Sequence, residues 1–179
     1  MKILIVSFDC DAEAAALRSA LEWYHHDVMV RYIGRPKDFL DMLGGKLPFL
    51  PDVLILCGHG DDGRFLMPEL GEDIYFEGDP RQISPDDIRS HLKWKPQICV
   101  STACTTGVPE MGAAFAECGV PYLAPDDYIE GNTPLFFILH LFYLHQNGGK
   151  TFAESAAIAK TTDADTAMYT FYDGNGGTL

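Results

Sequence analysis

Two apolar runs of this chain end in residues able to do nucleophile chemistry. Val53-Leu54-Ile55-Leu56 leads into Cys57-Gly58-His59-Gly60, and Ile98-Cys99-Val100 leads into Ser101-Thr102-Ala103-Cys104-Thr105-Thr106-Gly107. If the two runs are neighbouring parallel strands, their carboxyl ends set His59 beside Cys104. A neutral imidazole takes the thiol proton, and the thiolate attacks a carbonyl carbon to form an acyl intermediate. Thr105-Thr106-Gly107 predicts a tight turn, with Cys104 exposed just before a helix. Backbone N–H groups at such a turn stabilise a thiolate and an oxyanion. Gly60 leaves the backbone beside His59 uncovered, which makes its N–H a second oxyanion donor. Alone, neither residue signals function, because most cysteines pack as small hydrophobes. Joint placement at two strand ends is the informative feature.

The rest of the chain supplies the elements that must position this pair. Apolar strand patterns occur at 3–8, 27–33, 53–56, 97–100, 121–124 and 168–172. Helical spacing occurs at 12–24, where Ala14, Leu17, Leu21 and Tyr24 share a side, and at 37–47, 109–118 and 133–145. Ser84-Pro85-Asp86-Asp87 starts a helix running to 92, with serine as cap and acids at the positive end of the dipole. Thr151 caps another, to about 160. The polar segment 61–82 holds a hairpin pairing 64–67 with 73–76. Strands alternating with helices imply a three-layer α/β/α sandwich with a mainly parallel sheet. Ligands of such sheets bind beyond the carboxyl ends of the strands. No repeat, linker or low-complexity tract divides the chain, so residues 1–179 read as a single domain.

Composition narrows the function classes. A net charge of −13 argues against nucleic-acid binding through phosphate contacts; it is compatible with basic peptide partners, and an acidic surface often serves only solubility. The five cysteines, Cys10, Cys57, Cys99, Cys104 and Cys118, are odd in number and irregular in spacing, which does not suggest a disulfide framework. Residues 1–6 read as a first strand and not as a signal peptide, because Asp9 and Asp11 follow at once. The longest apolar stretch, 135–144, is too short to span a bilayer. The expectation is a reduced, cytoplasmic protein without a membrane role. Gly58, Gly60 and Gly63 fit neither the P-loop nor the dinucleotide fingerprint, and Cys57 with His59 lacks the paired spacing of a zinc site. No cofactor and no metal are therefore expected.

His-Gly after one apolar strand and Ala-Cys after the next resembles the caspase-like cysteine peptidases of clan CD. Residues 95–104, Lys-Pro-Gln-Ile-Cys-Val-Ser-Thr-Ala-Cys, are similar to the caspase strand that leads to its nucleophile. The nearer resemblance is to the CHAT domain, a bacterial branch with a Ser-Ala-Cys-x-Thr-Gly segment. Here that segment has one extra residue before Ala103. Asp126-Asp127, Phe142-Tyr143, Gly149-Lys150-Thr151 with Glu154, and 167–174 are similar to later CHAT segments, so the resemblance covers roughly 53–174. The tryptophan usual after the fifth strand is absent. The resemblance implies a caspase-hemoglobinase-like fold and peptide-bond hydrolysis through an acyl-enzyme. It implies His59 as general base, Cys104 as nucleophile, and the Gly60 and Cys104 N–H groups as the oxyanion hole. Relatives that cut after Arg or Lys place acids near the first strand's end and around the nucleophile strand. Asp9, Asp11, Asp126 and Asp127 are the matching candidates here, with Thr102 as a further substrate contact. The duller alternative has Asp9, Asp11 and Asp127 capping helices or turns. A peptide or protein substrate is implied, and any regulator would be a separate protein.

Two non-enzymatic alternatives stand beside the peptidase. One is a degenerate protease fold that only binds partners. The other is a receiver-like signalling module, suggested by Lys2-Ile3-Leu4-Ile5-Val6 and by Pro51-Asp52 before the third strand; its phosphoacceptor position holds Cys57.

Overall fold

The structure, a computed structural model, describes residues 1–75 and 78–178. Strand β1 (Lys2–Phe8) carries six consecutive buried residues, as a strand covered on both faces does. Helix α1 (Asp11–Trp23) buries Ala14, Leu17 and Leu21 along one stripe. Strand β2 (Asp27–Tyr32) lies parallel to β1 at the sheet edge. Helix α2 (Pro36–Leu43) is shorter than its pattern predicts, because the chain turns at Gly44-Gly45. Strand β3 (Val53–Asp61) pairs parallel with β1 on one side and with β6 (Ile98–Ser101) on the other. Helix α3 (Pro85–His91) precedes β6, and its Ser84–Asp87 capping box is formed. Helix α4 (Pro109–Glu117), strand β7 (Tyr122–Pro125), helices α5 (Thr133–Gly148), α6 (Phe152–Ala159) and α7 (Ala164–Ala167), and strand β8 (Tyr169–Tyr172) complete the chain. The main sheet runs β2-β1-β3-β6-β7-β8, with only β8 antiparallel to its neighbour.

The side-chain period of two sorts the strand residues into two cores. Ile3, Ile5, Val53, Ile55, Cys57 and Val100 face α1, α5 and α6. Leu4, Val6, Phe8, Leu54, Leu56 and Cys99 face α2, α3 and α4. This is the expected three-layer α/β/α sandwich. Among the described residues no helix is long and apolar enough to cross a membrane.

Three features differ from expectation. Strand β3 does not stop at Leu56. It continues through His59 into a hairpin with β4 (Arg64–Leu66), turned by Asp62 and Gly63 at φ 48° and 71°. Asp-Gly with both residues at positive φ is the favoured two-residue hairpin turn. The partner of β4 is β5 (Gln82–Ile83) and not 73–76. Burial of Phe65 and Ile83, with Phe65 edge-on to Phe8, favours this pairing; Asp73 and Ile74 lie in a turn, and Phe76 falls outside the described residues. The four-residue α7, capped by Asp163, is too short to show a period.

Candidate active site

The parallel pairing of β3 and β6 brings Leu56 opposite Ser101. The Thr102 N–H then donates to the Leu56 carbonyl at 2.9 Å, which extends the ladder towards the candidate pair. His59 lies exposed on β3 beyond this point, and Cys104 lies half-buried in the turn after β6. Between them the two backbones touch. A Cβ on Gly60 would stand 2.2 Å from the Cys104 carbonyl oxygen and 3.2 Å from the Ala103 Cβ. Only glycine fits at that approach.

The turn is held from several sides. The Ala103 N–H donates to Ser101 Oγ at 3.1 Å, and Thr106 Oγ1 donates to the Ala103 carbonyl at 2.7 Å. Thr105 adopts a left-handed φ of 59°, which strains a β-branched residue. Its N–H donates to the Asp127 carbonyl at 3.2 Å, and its hydroxyl accepts from the Gly63 N–H at 3.3 Å. Helix α4 begins only at Pro109, so Cys104 sits in a locked turn and not directly at a helix start. The Cys104 N–H itself has no hydrogen-bond partner among the described residues. The Cys104 thiol makes a weak contact to the Ile129 carbonyl at 3.9 Å.

The sulfur that rests against the imidazole is a different one. Cys10 Sγ lies 3.6 Å from His59 Nε2. Cys10 ends the β1–α1 connection, and nothing in its spacing marked it for the site. Burial pushes its thiol up to about 11, with the charges of Glu13, Asp9 and Asp11 adding to the effect. Burial also raises Cys57 and Cys99 well above the ordinary thiol value, and raises Cys118. These four thiols therefore hold their protons at neutral pH, and protonated thiols are poor nucleophiles.

The remaining sequence candidates fall into different places. Asp9, exposed at φ 70°, lines a groove of about 310 Å³ with His59, Leu66, Met67, Pro68 and Glu69. Asp11 opens α1 and accepts from the Ser7 hydroxyl at 2.7 Å. Asp126 accepts from the Thr170 hydroxyl at 3.0 Å, and Asp127 accepts from the Tyr128 N–H at 2.7 Å. Asp11 and Asp127 thus make local hydrogen bonds, but neither caps helix α1 through its side chain. Thr102 is buried beneath the rim, its hydroxyl accepting from the Gly58 N–H at 3.3 Å and donating to Glu13 Oε2 at 2.8 Å. Tyr128, whose hydroxyl donates to Asp61, was not singled out by the sequence either. Among the described residues no cluster of three or more His, Cys, Asp or Glu side chains is arranged to hold a metal ion.

No protein-family model matches the chain, and no curated protein matches its sequence. Among the solved structures similar in shape are two C11 cysteine proteases. One is a secreted C11 cysteine protease from Bacteroides thetaiotaomicron, solved with an irreversible peptide inhibitor; the TM-score is 0.57 at 10% identity over 97% of this chain and 66% of that one. The other is an inactive zymogen C11 protease from Parabacteroides distasonis, with a TM-score of 0.56 at 13% identity over 97% of this chain and 62% of that one. The chain therefore spans about two thirds of the length of these structures, and its fold is the caspase-like α/β/α fold that they share.

Proposed function

We propose that this protein is a cysteine endopeptidase in which Cys104 is the nucleophile and His59 the general base. The observation that carries the proposal is the contact of Gly60 with the Cys104 carbonyl, which joins the two strand ends at one rim. The caspase-like fold supports the same assignment. Within that fold, the Ser101–Gly107 segment and the later matching segments favour a CHAT-type relation. The peptide inhibitor bound to the Bacteroides protease belongs to that protein; for this chain a peptide substrate is part of the proposal.

The reaction begins when a ring nitrogen of His59 takes the Cys104 thiol proton. This step requires the exposed ring, which rests on Cys10, to turn towards Cys104. Sγ then bonds to the scissile carbonyl carbon, and the carbonyl oxygen takes the negative charge. The unpartnered Cys104 N–H and the Gly60 N–H would donate to that oxygen. Collapse breaks the C–N bond, and the imidazolium proton passes to the leaving nitrogen. Water, deprotonated by the same ring, attacks the thioester carbon, releasing a carboxylate and restoring the thiol. No metal or redox partner enters this sequence of steps. A separate regulatory protein and a reducing compartment belong to the same proposal.

The test is cleavage of a peptide set varied at P1. Cys104→Ala and His59→Ala are each expected to lower turnover by about 10⁴-fold or more. Limited iodoacetamide treatment followed by peptide mapping should modify Cys104 first, since burial holds the other four thiols protonated. Equal modification of Cys10 and Cys118 would overturn the assignment. The receiver-like alternative is not favoured, because Cys57 at the acceptor position is fully buried.

A further inference from the structure

Strand β2 closes the main sheet on one side, and among the described residues it pairs with β1 alone. Natural sheets blunt an exposed edge with proline, a bulge, a very short strand or charges of one kind. The β2 edge has no proline and no bulge: its six residues run in unbroken register, from Lys2 opposite Asp27 to Ser7 opposite Tyr32. Its two charges are one acid and one base, Asp27 and Arg31. Bonds at the two ends fix the backbone phase. The Asp27 N–H donates to the Met1 carbonyl at 3.0 Å, and the Ile33 N–H to the Ser7 carbonyl at 2.8 Å. Alternate residues of a strand bond to the same neighbour, so Asp27, Met29 and Arg31 turn their N–H and C=O groups towards β1. Val28 and Val30 turn theirs outward, where no backbone of the described residues bonds them.

The side chains of this edge are self-complementary. Asp27-Val28-Met29-Val30-Arg31 reads acid, valine, methionine, valine, base, a palindrome in which only the sign of the charge reverses. When a second copy runs antiparallel about Met29, Val28 faces Val30 and Asp27 faces Arg31, each twice. The backbone phase agrees with this register. Val28 and Val30 become hydrogen-bonded pairs, each exchanging two N–H to C=O bonds, and Asp27 with Arg31 a non-hydrogen-bonded pair, in which side chains stand closer. A slip of two residues either way keeps the phase and loses both charge pairs. Neither charge is committed within the chain: Asp27 and Arg31 form no ion pair among the described residues. Arg31 Nη1 donates to the Lys46 carbonyl at 3.1 Å, which leaves further donors on the guanidinium. Met29 and Tyr32 are exposed on the strand, as is Trp23 at the end of the helix that leads into it.

We propose that β2 is a self-association edge, along which two copies of this chain join antiparallel into one continuous sheet. The contact is isologous: Asp27 of each copy meets Arg31 of the other about a two-fold axis at Met29. The main-chain bonds of Val28 and Val30 supply the attraction, and the charge pairs choose the register and the antiparallel sense. Antiparallel joining also turns the parallel strands of the two copies in opposite directions. The rims that carry His59 and Cys104 therefore lie on opposite sides of the joined sheet.

Sedimentation equilibrium over about 1 to 300 μM protein tests this. The wild-type chain should approach twice the 19.8 kDa of one copy as its concentration rises. Asp27→Arg and Arg31→Asp each turn both pairs from attractive to repulsive, so each alone should raise Kd about tenfold or more. An equimolar mixture of the two variants should recover the dimer to within a few-fold of wild type, because one copy is then basic at both positions and the other acidic at both. Val30→Pro removes an outward N–H that β1 does not use, so the chain should keep its own sheet, as a melting scan checks, and lose the dimer. Amide exchange gives a second readout: Val28 and Val30 should slow as concentration rises, while Met29 and Arg31 stay protected throughout. A monomer at every concentration overturns the proposal and leaves the edge to a segment of another protein. A dimer with unchanged Kd in the charge variants or in Val30→Pro overturns it as well, as does a mixture that fails to recover. Peptide cleavage plays no part in these readouts, so the dimer stands or falls apart from the peptidase assignment.

Discussion

At the scale of single residues, the site combines thiols and acids whose surroundings set what they can do. Cys10, Cys57, Cys99 and Cys118 are all shifted towards the protonated form by burial. Glu13 is shifted in the same sense, its folded-state value lying above its ordinary one. A carboxyl shifted upward binds its proton better in the folded chain than in the unfolded chain. Stability therefore falls as pH rises from the ordinary value through the raised one, and then levels off. Glu13→Gln removes the ionised group and with it that loss. The variant should be more stable than wild type at about pH 8, and the gap should close below about pH 4. Urea denaturation at the two pH values measures it. A gap of unchanged size would mean that Glu13 is not destabilised by burial. No sequence pattern marks Glu13.

At the scale of elements, the site depends on β3 running past the sheet into the β4 hairpin and on the locked turn after β6. Gly60 is where these two elements meet. In Gly60→Ala the new Cβ must displace backbone at Cys104 and the Thr106 methyl, which would stand 2.8 Å away. Overpacking of this kind costs about 1–3 kcal/mol. The variant should show a lower melting temperature and a far larger loss of peptide cleavage than that stability change explains. Wild-type turnover in a destabilised Gly60→Ala protein would argue that the contact is structural only. The elements themselves were largely legible. Caps at Ser84 and Thr151 stand where the sequence puts them. The Asp62-Gly63 hairpin was also legible in principle, through the dipeptide itself, but its partner β5 is only two residues long. Its register is consistent with burial of Ile83, which no local pattern reveals.

At the scale of the whole molecule, the chain carries a net charge of −13. A cleft near the Cys104 turn collects four acids, Asp61, Asp62, Glu110 and Asp126, against one base, Arg64, on its walls. For a basic peptide, the field of such a cleft speeds encounter without adding contacts. Raising the salt from about 0.02 to about 0.5 M should therefore lower kcat/KM for a basic peptide by about tenfold, with kcat nearly constant. A neutral peptide should change little. Steady-state kinetics in sodium chloride provides the check, and a kcat that falls in parallel would point to a salt effect on the fold.

The order of strands and helices, the three layers and the rim position of His59, Gly60 and Cys104 were determined by the sequence, because apolar period and cap chemistry are local properties. The meeting of Cys10 with His59 and of Glu13 with Thr102 was decided by the tertiary structure alone. These side chains come from the β1–α1 connection and α1, from β3 and from the turn after β6, far apart along the chain. Only the packing of α1 and α5 over one face of the sheet brings them together, and burial there gives them the protonation and hydrogen-bonding demands that a sequence does not record.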